Sequence, residues 1–498
     1  MDTEKKDKLQ RRVILILGAF FCILPCIIEE NGLIYFLSPW IWISCFLFYT
    51  RTMDRKREWL FFVLVFLIAY EIRYRNFMGD SDMFFIISSS VILFLLALAT
   101  TIPFVLDRFY FKNGHGAWKI FMFPAARITV ERFLIGQQFN LSLTQFDNKW
   151  LIQSVFVFGD VFISFMVSLI PSAVICMILN KEEKNVMRAG RIVLAAGILV
   201  AVLGGIRYHT APFPDEPIKM AYATGPQKTY YEDPSETDPG YDENIEYLTR
   251  TINEAAAEGA KLIAYAEEAF IVSAEEEKET VEAVQKMAKE SGLFVLLSLD
   301  STDESGSFLN KVVLIDSKGE QLSEYTKTNL IPVIETEEYT SGDGHIPSNR
   351  VTIDGRELII SYTICYDATF YKYLLTMDPE TNLFINPSWD WDEIDDLNYR
   401  MQGISAIENG IVLFKPTVDG WSVVTDPYGR ITYKENTIGE DYNQVHYVDI
   451  PAANITTIYR KISGFMIPVW SAVVLIMVLE MVRTAILKIK ALRRNRIF

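Results

Sequence analysis

Apolar residues form long blocks at both ends of the chain and short runs in the middle. A membrane-spanning helix needs about 20 mostly apolar residues. Blocks of this kind predict about eight spans, at roughly 13–28, 33–50, 59–72, 84–106, 118–135, 151–179, 191–206 and 463–487. No small-residue cleavage site follows the first block, so we expect no cleavable signal peptide. The pattern predicts a polytopic α-helical membrane bundle.

The middle of the chain, residues 209–458, has the short periodicities of a folded domain. Strands are predicted at 217–224, 261–270, 293–300, 357–365 and 382–389, and two more, each followed by a turn, within 411–431. Helices are predicted at 242–260, 275–292 and 400–410. Residues 307–327 form two strand-like runs around "SKGE", which predicts a hairpin. Because strands alternate with helices, we expect an α/β domain.

Charge predicts an orientation for these parts. The Lys/Arg-rich stretches fall on alternate sides of the predicted spans, which places both termini in the cytoplasm and the 207–461 segment outside. Residues 207–460 carry 46 acidic against 19 basic side chains. Such a domain is not expected to bind nucleic acid, which selects basic surfaces. We therefore divide the chain into a membrane part (1–208), an extracytoplasmic domain (209–458) and a C-terminal span with a basic tail (459–498).

Two charged residues lie inside the predicted fifth span. Arg127 and Glu131 are one helical turn apart, so they can form an internal ion pair that closes the bundle. Intramembrane charge also marks functional sites. We favour the ion pair as the interpretation.

Cys365 is the one cysteine in the acidic middle of the chain, and it ends the apolar run "LIISYTIC". It is either a small buried apolar residue or a reactive thiol, and its position alone leaves both open. The following residues, "YDATFYKYLL", can begin a helix. A thiol at a strand end before a helix meets free N–H groups and the positive end of the helix dipole. This position predicts a lowered thiol pKa.

Two other strand ends carry groups that could assist such a thiol. Glu267 and Glu268 end the second predicted strand, and Lys327 follows a strand at "EYTK". A glutamate can accept the thiol proton, and a lysine can stabilise the oxyanion that forms on attack. Glu, Lys and Cys together would make a complete acyl-transfer site. Each residue alone is weak evidence, because such residues are usually solvated surface groups.

The sequence around these positions resembles the nitrilase, or carbon–nitrogen hydrolase, superfamily. "LIAYAEEAF", "YTKTNLIPVIE" and "ICYD" are similar, in that order, to the family's glutamate, lysine and cysteine motifs, and "SAIENG" and "DPYGRI" are similar to two later ones. "FPAARITVERFL" in the membrane part resembles a helix of the same family. With membrane blocks on both sides, the chain as a whole resembles the apolipoprotein N-acyltransferases, as a divergent member.

The resemblance implies a four-layer α-β-β-α sandwich and assigns roles to individual residues. It implies a catalytic triad, formed by Glu267, Lys327 and Cys365. It also implies supporting residues, namely Glu335, Asp367 and Glu408. Only the register of the motif selects Glu267 as the base over its neighbour Glu268.

The chain also departs from the family pattern near these motifs. The differing residues are Ala266 for proline, Asp367 for glutamate, Asn398 for histidine and Ser405 for arginine. The loop "NPSWDWDE" keeps the family's tryptophan as Trp389 and adds Trp391. These two residues are either core aromatics or substrate-binding residues at the lipid surface. The departures leave the three catalytic positions intact.

The resemblance implies an acyltransferase of the inner (cytoplasmic) cell membrane. It would move a fatty acyl chain from a phospholipid donor, through a thioester on Cys365, to the amine of a diacylglyceryl-lipoprotein, with ping-pong kinetics. We expect a monomer without cofactor, and no metal site, because the histidines lack ligand spacing. Two alternatives stay open: a membrane-anchored nitrilase-family amidase or hydrolase acting on a small amide or ester, and a non-catalytic lipid-binding relative.

Overall fold

The computed structural model describes residues 3–28, 32–53, 58–75, 83–136, 139–212, 216–226, 240–302, 306–332, 334–336, 338–439 and 444–494. The chain divides into two compact units. The first, which we call the helical unit, is Met1–Thr210 with Lys461–Phe498. The second, which we call the α/β domain, is Ala211–Arg460.

The helical unit is mainly α-helical in its described residues. Their bounds are α1 Thr3–Ile23, α2 Gly32–Thr52, α3 Trp59–Tyr74, α4 Met83–Asn113, α5 Trp118–Val130, α6 Val155–Phe158, α7 Asp160–Leu179 and α8 Lys184–Thr210. The last helix of the chain, Ile458–Arg494, contributes all but its first turn to this unit. Within the described residues, α5 continues into a π-helical turn at Glu131–Ile135.

Six helices in the described part of the chain are long and apolar enough to cross a membrane. They cover Lys8–Cys26, Gly32–Thr52, Ile86–Asn113, Asp160–Leu179, Lys184–Thr210 and Ile458–Ala491. The spans predicted at 59–72 and 118–135 correspond to α3 and α5, which have 16 and 13 residues. The span predicted at 151–179 begins later, because Gly159 separates α6 from α7. A multi-pass bundle is supported, and the number eight stays a prediction.

Large apolar side chains lie on the surface of these helices. Ile16, Ile198 and Leu479 are 65%, 65% and 59% exposed. Contiguous apolar surface of this kind is unfavourable in water. It suits contact with hydrocarbon, where helices satisfy their own backbone hydrogen bonds. The surface therefore supports the assignment of a multi-pass membrane protein.

Among the described residues of the helical unit, two ion pairs are buried. Arg51 Nη2 lies 2.9 Å from Asp107 Oδ1. Arg127 Nε donates to Glu131 Oε1 at 2.7 Å, and the same oxygen accepts the Leu141 N–H at 3.1 Å. The ion pair predicted between Arg127 and Glu131 is thus confirmed, and it ties α5 to the segment that follows.

The α/β domain contains short strands alternating with helices. Its first half comprises β1 Ile218–Ala223, α9 Tyr241–Ala257, β2 Leu262–Tyr265, β3 Phe270–Val272, α10 Ala274–Ser291, β4 Phe294–Thr302, β5 Phe308–Ile315 and β6 Gln321–Thr326. Its second half comprises β7 Ser348–Ile353, β8 Arg356–Tyr362, α11 Tyr371–Leu374, β9 Leu383–Ile385, β10 Ser388–Trp389, α12 Asp395–Asn409, β11 Val412–Lys415, β12 Thr417–Val418, β13 Trp421–Thr425, β14 Ile431–Asn436 and β15 His446–Ile450. The helix α13, Ile458–Arg494, follows it.

These strands form two mixed sheets. The first has the order β15-β1-β2-β4-β5-β6, with β3 also paired to β4. The second has the order β14-β13-β11-β9-β8-β7. In both sheets the central pairs are parallel and the outer pairs antiparallel. Strands β10 and β12 pair with each other, parallel, outside the two sheets.

The two sheets pack face to face around one apolar core. Leu262 of the first sheet and Phe414 of the second belong to this core and are fully buried. The other face of the first sheet packs against α9 and α10 through residues such as Leu248 and Val284. Helix α12 contacts β11 and β13 of the second sheet. The order of layers is therefore α-β-β-α, which confirms the predicted nitrilase-like sandwich.

Most predicted elements of this domain are confirmed, with two kinds of difference. The predicted strand 261–270 is interrupted, because β2 ends at Tyr265 and β3 begins at Phe270. The residues between them form a turn that carries Glu267. Strands β7, β14 and β15 were not predicted, and all three lie at sheet edges. Edge strands are partly exposed and lack the continuous apolar run of a central strand.

Candidate active site

Cys365 lies at the carboxyl end of β8, at the start of a 3₁₀ helix that runs from Cys365 to Thr369. Its φ is +40°, a left-handed conformation that costs energy for a residue with a Cβ. The Cys365 N–H donates to the Pro387 carbonyl at 2.8 Å. The thiol is buried and donates to the Trp389 carbonyl at 3.7 Å. The strained backbone thus holds the sulfur against the loop after β9.

The predicted lowering of the thiol pKa is wrong. Burial raises the pKa of Cys365 well above its ordinary value, the carboxylate of Glu267 raises it further, and Lys327 opposes both. The expected helix is absent at this point, because the 3₁₀ turn ends at Thr369 and α11 has four residues. A dipole of that length adds little. The structure therefore holds Cys365 as a neutral thiol that needs a base.

Lys327 follows β6 and is 1% exposed. Its ammonium donates to Glu267 Oε1 at 2.7 Å and to Glu335 Oε1. Burial lowers the pKa of Lys327, but these two carboxylates outweigh burial and raise it well above its ordinary value. An ammonium has three N–H donors. Among the described residues two of the three have partners, so one donor can still reach a bound substrate.

Glu267 lies in the turn between β2 and β3, and three groups hold its carboxylate. Its Oε1 accepts from Lys327 at 2.7 Å and from the Asn310 amide at 2.9 Å. Its Oε2 accepts from the Trp389 N–H at 2.7 Å. The main chain of Trp389 therefore contacts both Glu267, through its N–H, and the Cys365 thiol, through its C=O. The three residues predicted as a triad lie in one buried cluster.

Glu268, the alternative base, points to the side of this cluster. It is half-buried, has a φ of +53°, and accepts from the Asn310 amide at 3.0 Å. Burial, followed by Glu267 and Asp300, raises the pKa of Glu268 well above its ordinary value. The carboxylate oxygens of Glu267, Glu268 and Glu335 lie within 4.8 Å of one another, a spacing that could also hold a cation. In this structure Lys327 supplies the positive charge among them.

Glu335 and Asp367 support the segment that carries Lys327. Glu335 Oε2 accepts the Ile331 N–H at 2.7 Å, which folds the chain after Lys327 back onto the ammonium. Asp367 Oδ2 accepts from the Tyr325 hydroxyl at 2.6 Å, and its Oδ1 accepts from the Asn329 N–H at 2.6 Å. These contacts flank Lys327 on both sides. Asp367 thus ties the cysteine turn to the lysine loop.

Glu408 lies within α12, the helix that also contacts the 3₁₀ turn beginning at Cys365. It is buried, and its main-chain carbonyl accepts from the Thr457 hydroxyl at 2.7 Å. Its predicted supporting role stays a prediction.

The two tryptophans of the "NPSWDWDE" loop differ in their contacts. Both are half-buried. The Trp389 indole donates to Asp419 Oδ2 at 3.2 Å, while its peptide contacts the cluster. The Trp391 Nε1 is buried without a hydrogen-bond partner in the described part of the chain. The side chain of Trp389 thus positions the residue, and its main chain makes the contacts with the cluster. The sequence alone does not predict this difference.

The four departures from the family pattern have ordinary local contacts. Ala266 is buried, and its N–H pairs with the Ala223 carbonyl at 3.0 Å. The Ser405 carbonyl accepts from Asn409 at 2.9 Å. Asn398 donates to Asp390 Oδ1 at 2.6 Å. Asp367 makes the contacts described above, so the shorter acid still reaches its partners.

Several residues of the site have no signature in the sequence. Asn310 donates to both Glu267 and Glu268, although it appears only as one polar residue within a strand. Asp390 forms a fully buried ion pair with Lys415. Four described residues other than glycine have a positive φ, and three of them, Glu268, Cys365 and Asp419, contact or belong to this site. Such strain concentrates at functional sites.

Part of the chain is similar to known proteins. Residues 234–460, which are most of the α/β domain, match the carbon-nitrogen hydrolase family. An amidase from Nesterenkonia sp. of known structure is 19% identical to the chain, with a TM-score of 0.41 over 51% of this chain and 97% of the amidase.

A second similarity extends beyond the α/β domain. The apolipoprotein N-acyltransferase of Rickettsia prowazekii is 24% identical over 365 residues, which cover 67% of this chain and 68% of that protein. The apolipoprotein N-acyltransferase of Rickettsia typhi is 24% identical over 364 residues, with the same coverage. An alignment of this length includes part of the membrane region. The chain is therefore similar, over more than its α/β domain, to two proteins named apolipoprotein N-acyltransferase.

The cluster in the hydrolase domain contains the groups that acyl transfer requires. A neutral thiol, a carboxylate and an ammonium with an open donor lie together in a buried site. Such groups can act as a nucleophile, a base and an oxyanion-stabilising cation. The hydrolase family and the similar acyltransferases both support an enzyme.

Proposed function

We propose that this protein is a membrane N-acyltransferase of the apolipoprotein N-acyltransferase type. It moves a fatty acyl chain from a membrane phospholipid to the N-terminal amine of a diacylglyceryl-lipoprotein. Support comes from the names of the similar Rickettsia proteins, from the hydrolase domain, and from helices that suit a membrane. Both substrates of such a reaction are membrane lipids or lipid-anchored, so an enzyme with several spans can meet them in the bilayer.

In the first half-reaction, the Cys365 sulfur attacks the ester carbonyl of the phospholipid. Glu267 accepts the thiol proton as the S–C bond forms, which the raised pKa of the thiol requires. The oxyanion that develops is stabilised by the third N–H of Lys327. When the C–O bond breaks, Glu267 returns the proton to the leaving alcohol. The products are a lysophospholipid and a thioester on Cys365.

In the second half-reaction, the amine of the acceptor attacks the thioester carbonyl. Glu267 now accepts a proton from the amine nitrogen, and Lys327 again stabilises the oxyanion. The C–S bond breaks, and the proton returns from Glu267 to the sulfur. The products are an amide and the neutral thiol, so the enzyme returns to its starting state. Because the first product leaves before the second substrate reacts, ping-pong kinetics are expected.

The supporting residues act through Lys327. Glu335 fixes the direction of the ammonium, and Asp367 fixes the loop on either side of it. In the cell, we place the hydrolase domain on the outer side of the inner membrane and both termini in the cytoplasm. That orientation rests on the distribution of Lys and Arg in the loops.

The observation that best supports this proposal is the set of contacts around Glu267. The main chain of Trp389 contacts both Glu267 and Cys365, and Lys327 donates to the same glutamate. The test is intact mass spectrometry of the full-length protein in detergent after incubation with a bacterial phospholipid mixture. We expect a fatty-acyl adduct that hydroxylamine removes, present on wild type and absent from Cys365→Ala. A reduced wild-type protein that gains no adduct from added phospholipid would contradict the proposal and favour an amidase with a soluble substrate.

A further inference from the structure

A second buried ion pair lies next to the proposed site. Lys415 ends β11 and Asp390 follows β10, and Lys415 Nζ lies 2.6 Å from Asp390 Oδ2. Both side chains are fully buried. Lys415 also donates to the Thr417 hydroxyl at 2.7 Å, and Asn398 donates to Asp390 Oδ1 at 2.6 Å. The charges are therefore paired and their remaining hydrogen-bonding groups are largely satisfied.

The surrounding backbone brings Asp390 to Lys415 and leaves little room for movement. The parallel pair of β10 and β12 aligns Ser388 with Thr417 and Trp389 with Val418. The Asp390 N–H donates to the Val418 carbonyl at 3.1 Å. A Cβ on Gly420 would lie 2.6 Å from the Asp390 Cβ, so this approach requires glycine. The pair thus clamps the end of β10.

The residue clamped in this way is the one that links base and nucleophile. Trp389 directly precedes Asp390, and its N–H and C=O contact Glu267 and Cys365. Four charged residues act on the thiol: Glu267 before β3, Lys327 after β6, Asp390 after β10 and Lys415 at the end of β11. Asp390 raises the pKa of the thiol and Lys415 lowers it, so the two members of an intact pair oppose each other.

We propose that Asp390 and Lys415 are positioning residues. They fix the main chain of Trp389 between Glu267 and Cys365, and their opposite charges offset each other near the Cys365 sulfur. This inference rests on the proposed function of the same site. A purely structural role is the alternative. A buried ion pair is weak evidence for stability, since well-packed apolar residues often replace such a pair without loss. The position of this pair next to Trp389 is therefore better explained by a role in holding the Trp389 main chain than by stability.

The test compares Lys415→Met, Asp390→Asn and the double variant with wild type, as full-length protein in detergent. Arg430→Met is the matched control, because it breaks another buried ion pair of the domain, with Asp426 in the turn between β13 and β14. The rate of Cys365 alkylation by iodoacetamide is measured against pH by peptide mass spectrometry. The midpoint of the profile reports the charges around the thiol, and the plateau rate reports its positioning. Melting temperatures report stability separately.

We expect Lys415→Met to move the midpoint to higher pH and Asp390→Asn to move it to lower pH, each by about one unit. The double variant should return to the wild-type midpoint, with a plateau rate at least about tenfold lower. The reason is that the main chain of residues 387–389, which accepts the Cys365 N–H, no longer fixes the position of the sulfur. Arg430→Met should match wild type in both. If a single variant does not fold, the double variant decides, because it leaves no unpaired buried charge.

The inference would be overturned if the double variant had the wild-type midpoint and plateau rate of Cys365 alkylation and only a lower melting temperature. Iodoacetamide needs no lipid substrate, so this result is independent of the acyl donor. A wild-type protein without an acyl adduct, but with the expected shifts in the variants, would overturn the proposed donor and leave the positioning role standing.

Discussion

At the scale of residues, the account depends on which carboxylate serves as the base. Glu267 contacts Lys327 and the Trp389 N–H, whereas Glu268 contacts the shared Asn310 amide from the other side. The raised pKa of Glu268 also favours its protonated form, which cannot accept a proton. Geometry and charge thus point to the residue that the motif register selects.

Glu267→Gln is expected to lower the rate of thioester formation by about 10²–10⁴-fold, the usual contribution of a general base. Glu268→Gln should lower it by less than about tenfold, because burial and the neighbouring Glu267 already raise the pKa of this carboxyl and disfavour its charged form. The measurement is the initial rate of adduct formation on Cys365 for both variants, side by side. A larger loss in the Glu268 variant would reverse the assignment.

The pH dependence of the thiol provides a second prediction at this scale. Because burial and Glu267 raise the pKa of Cys365, the folded protein holds its thiol proton to higher pH than the unfolded chain does. Alkylation by iodoacetamide at pH 7 to 8 should therefore be slower in the folded protein than in urea, where an ordinary thiol has a pKa of about 8.5. The folded rate should rise only at more alkaline pH. Equal rates at pH 7 would mean that the thiol is not shielded.

What the sequence can predict at this scale is uneven. Glu267, Lys327 and Cys365 follow strand ends and stand in recognisable motifs, so their meeting could be anticipated. The ion pair of Asp390 and Lys415 could not, because the parallel pairing of two-residue strands brings together positions 25 residues apart. The sign of the thiol pKa shift was also missed, since burial and a neighbouring carboxylate depend on the folded environment.

At the scale of elements, helix ends illustrate how glycine is used. Gly292 ends α10 and Gly410 ends α12, with φ of +69° and +70°. A Cβ on Gly292 would meet nothing within 4 Å, whereas a Cβ on Gly410 would lie 1.8 Å from the Ile455 carbonyl oxygen. A residue with a Cβ would therefore be strained in its backbone at both positions, but it would clash with neighbouring atoms only at position 410.

Gly292→Ala should destabilise the protein by about 1–2 kcal/mol, the cost of the left-handed conformation. Gly410→Ala should cost more, because the segment around Ile455 must move. The apparent melting temperature of the full-length protein, followed by tryptophan fluorescence, measures both. Equal losses would show that the close approach at Gly410 is relieved without cost.

The elements themselves were largely predictable where hydrophobic periodicity is strong. The helix at 242–260 and the hairpin at 307–327 are confirmed as α9 and as β5 with β6. The edge strands β7, β14 and β15 were missed, because partial exposure removes the apolar run. The span at 151–179 was predicted too long, because a single glycine at 159 breaks a continuous apolar block.

At the scale of the whole molecule, the proposed orientation is open to direct labelling. Lys278 on α10 has a side chain that is 82% exposed, and Lys490 near the end of α13 is exposed. In a background whose other cysteines are replaced, Lys278→Cys should react with a membrane-impermeant maleimide on spheroplasts. Lys490→Cys should react only after the membrane is permeabilised. The opposite pattern would place the hydrolase domain in the cytoplasm.

In the proposed reaction, the acyl chain passes through a thioester on Cys365 to an amine. The most direct measurement is a single-turnover chase. Protein carrying an isotope-labelled acyl group on Cys365 is separated from phospholipid and mixed with a diacylglyceryl-cysteine peptide, and the products are resolved by mass spectrometry. The account predicts a labelled amide on the peptide, formed as fast as the thioester is lost. Labelled free fatty acid, released at the same rate with or without the peptide, would contradict it and identify a hydrolase.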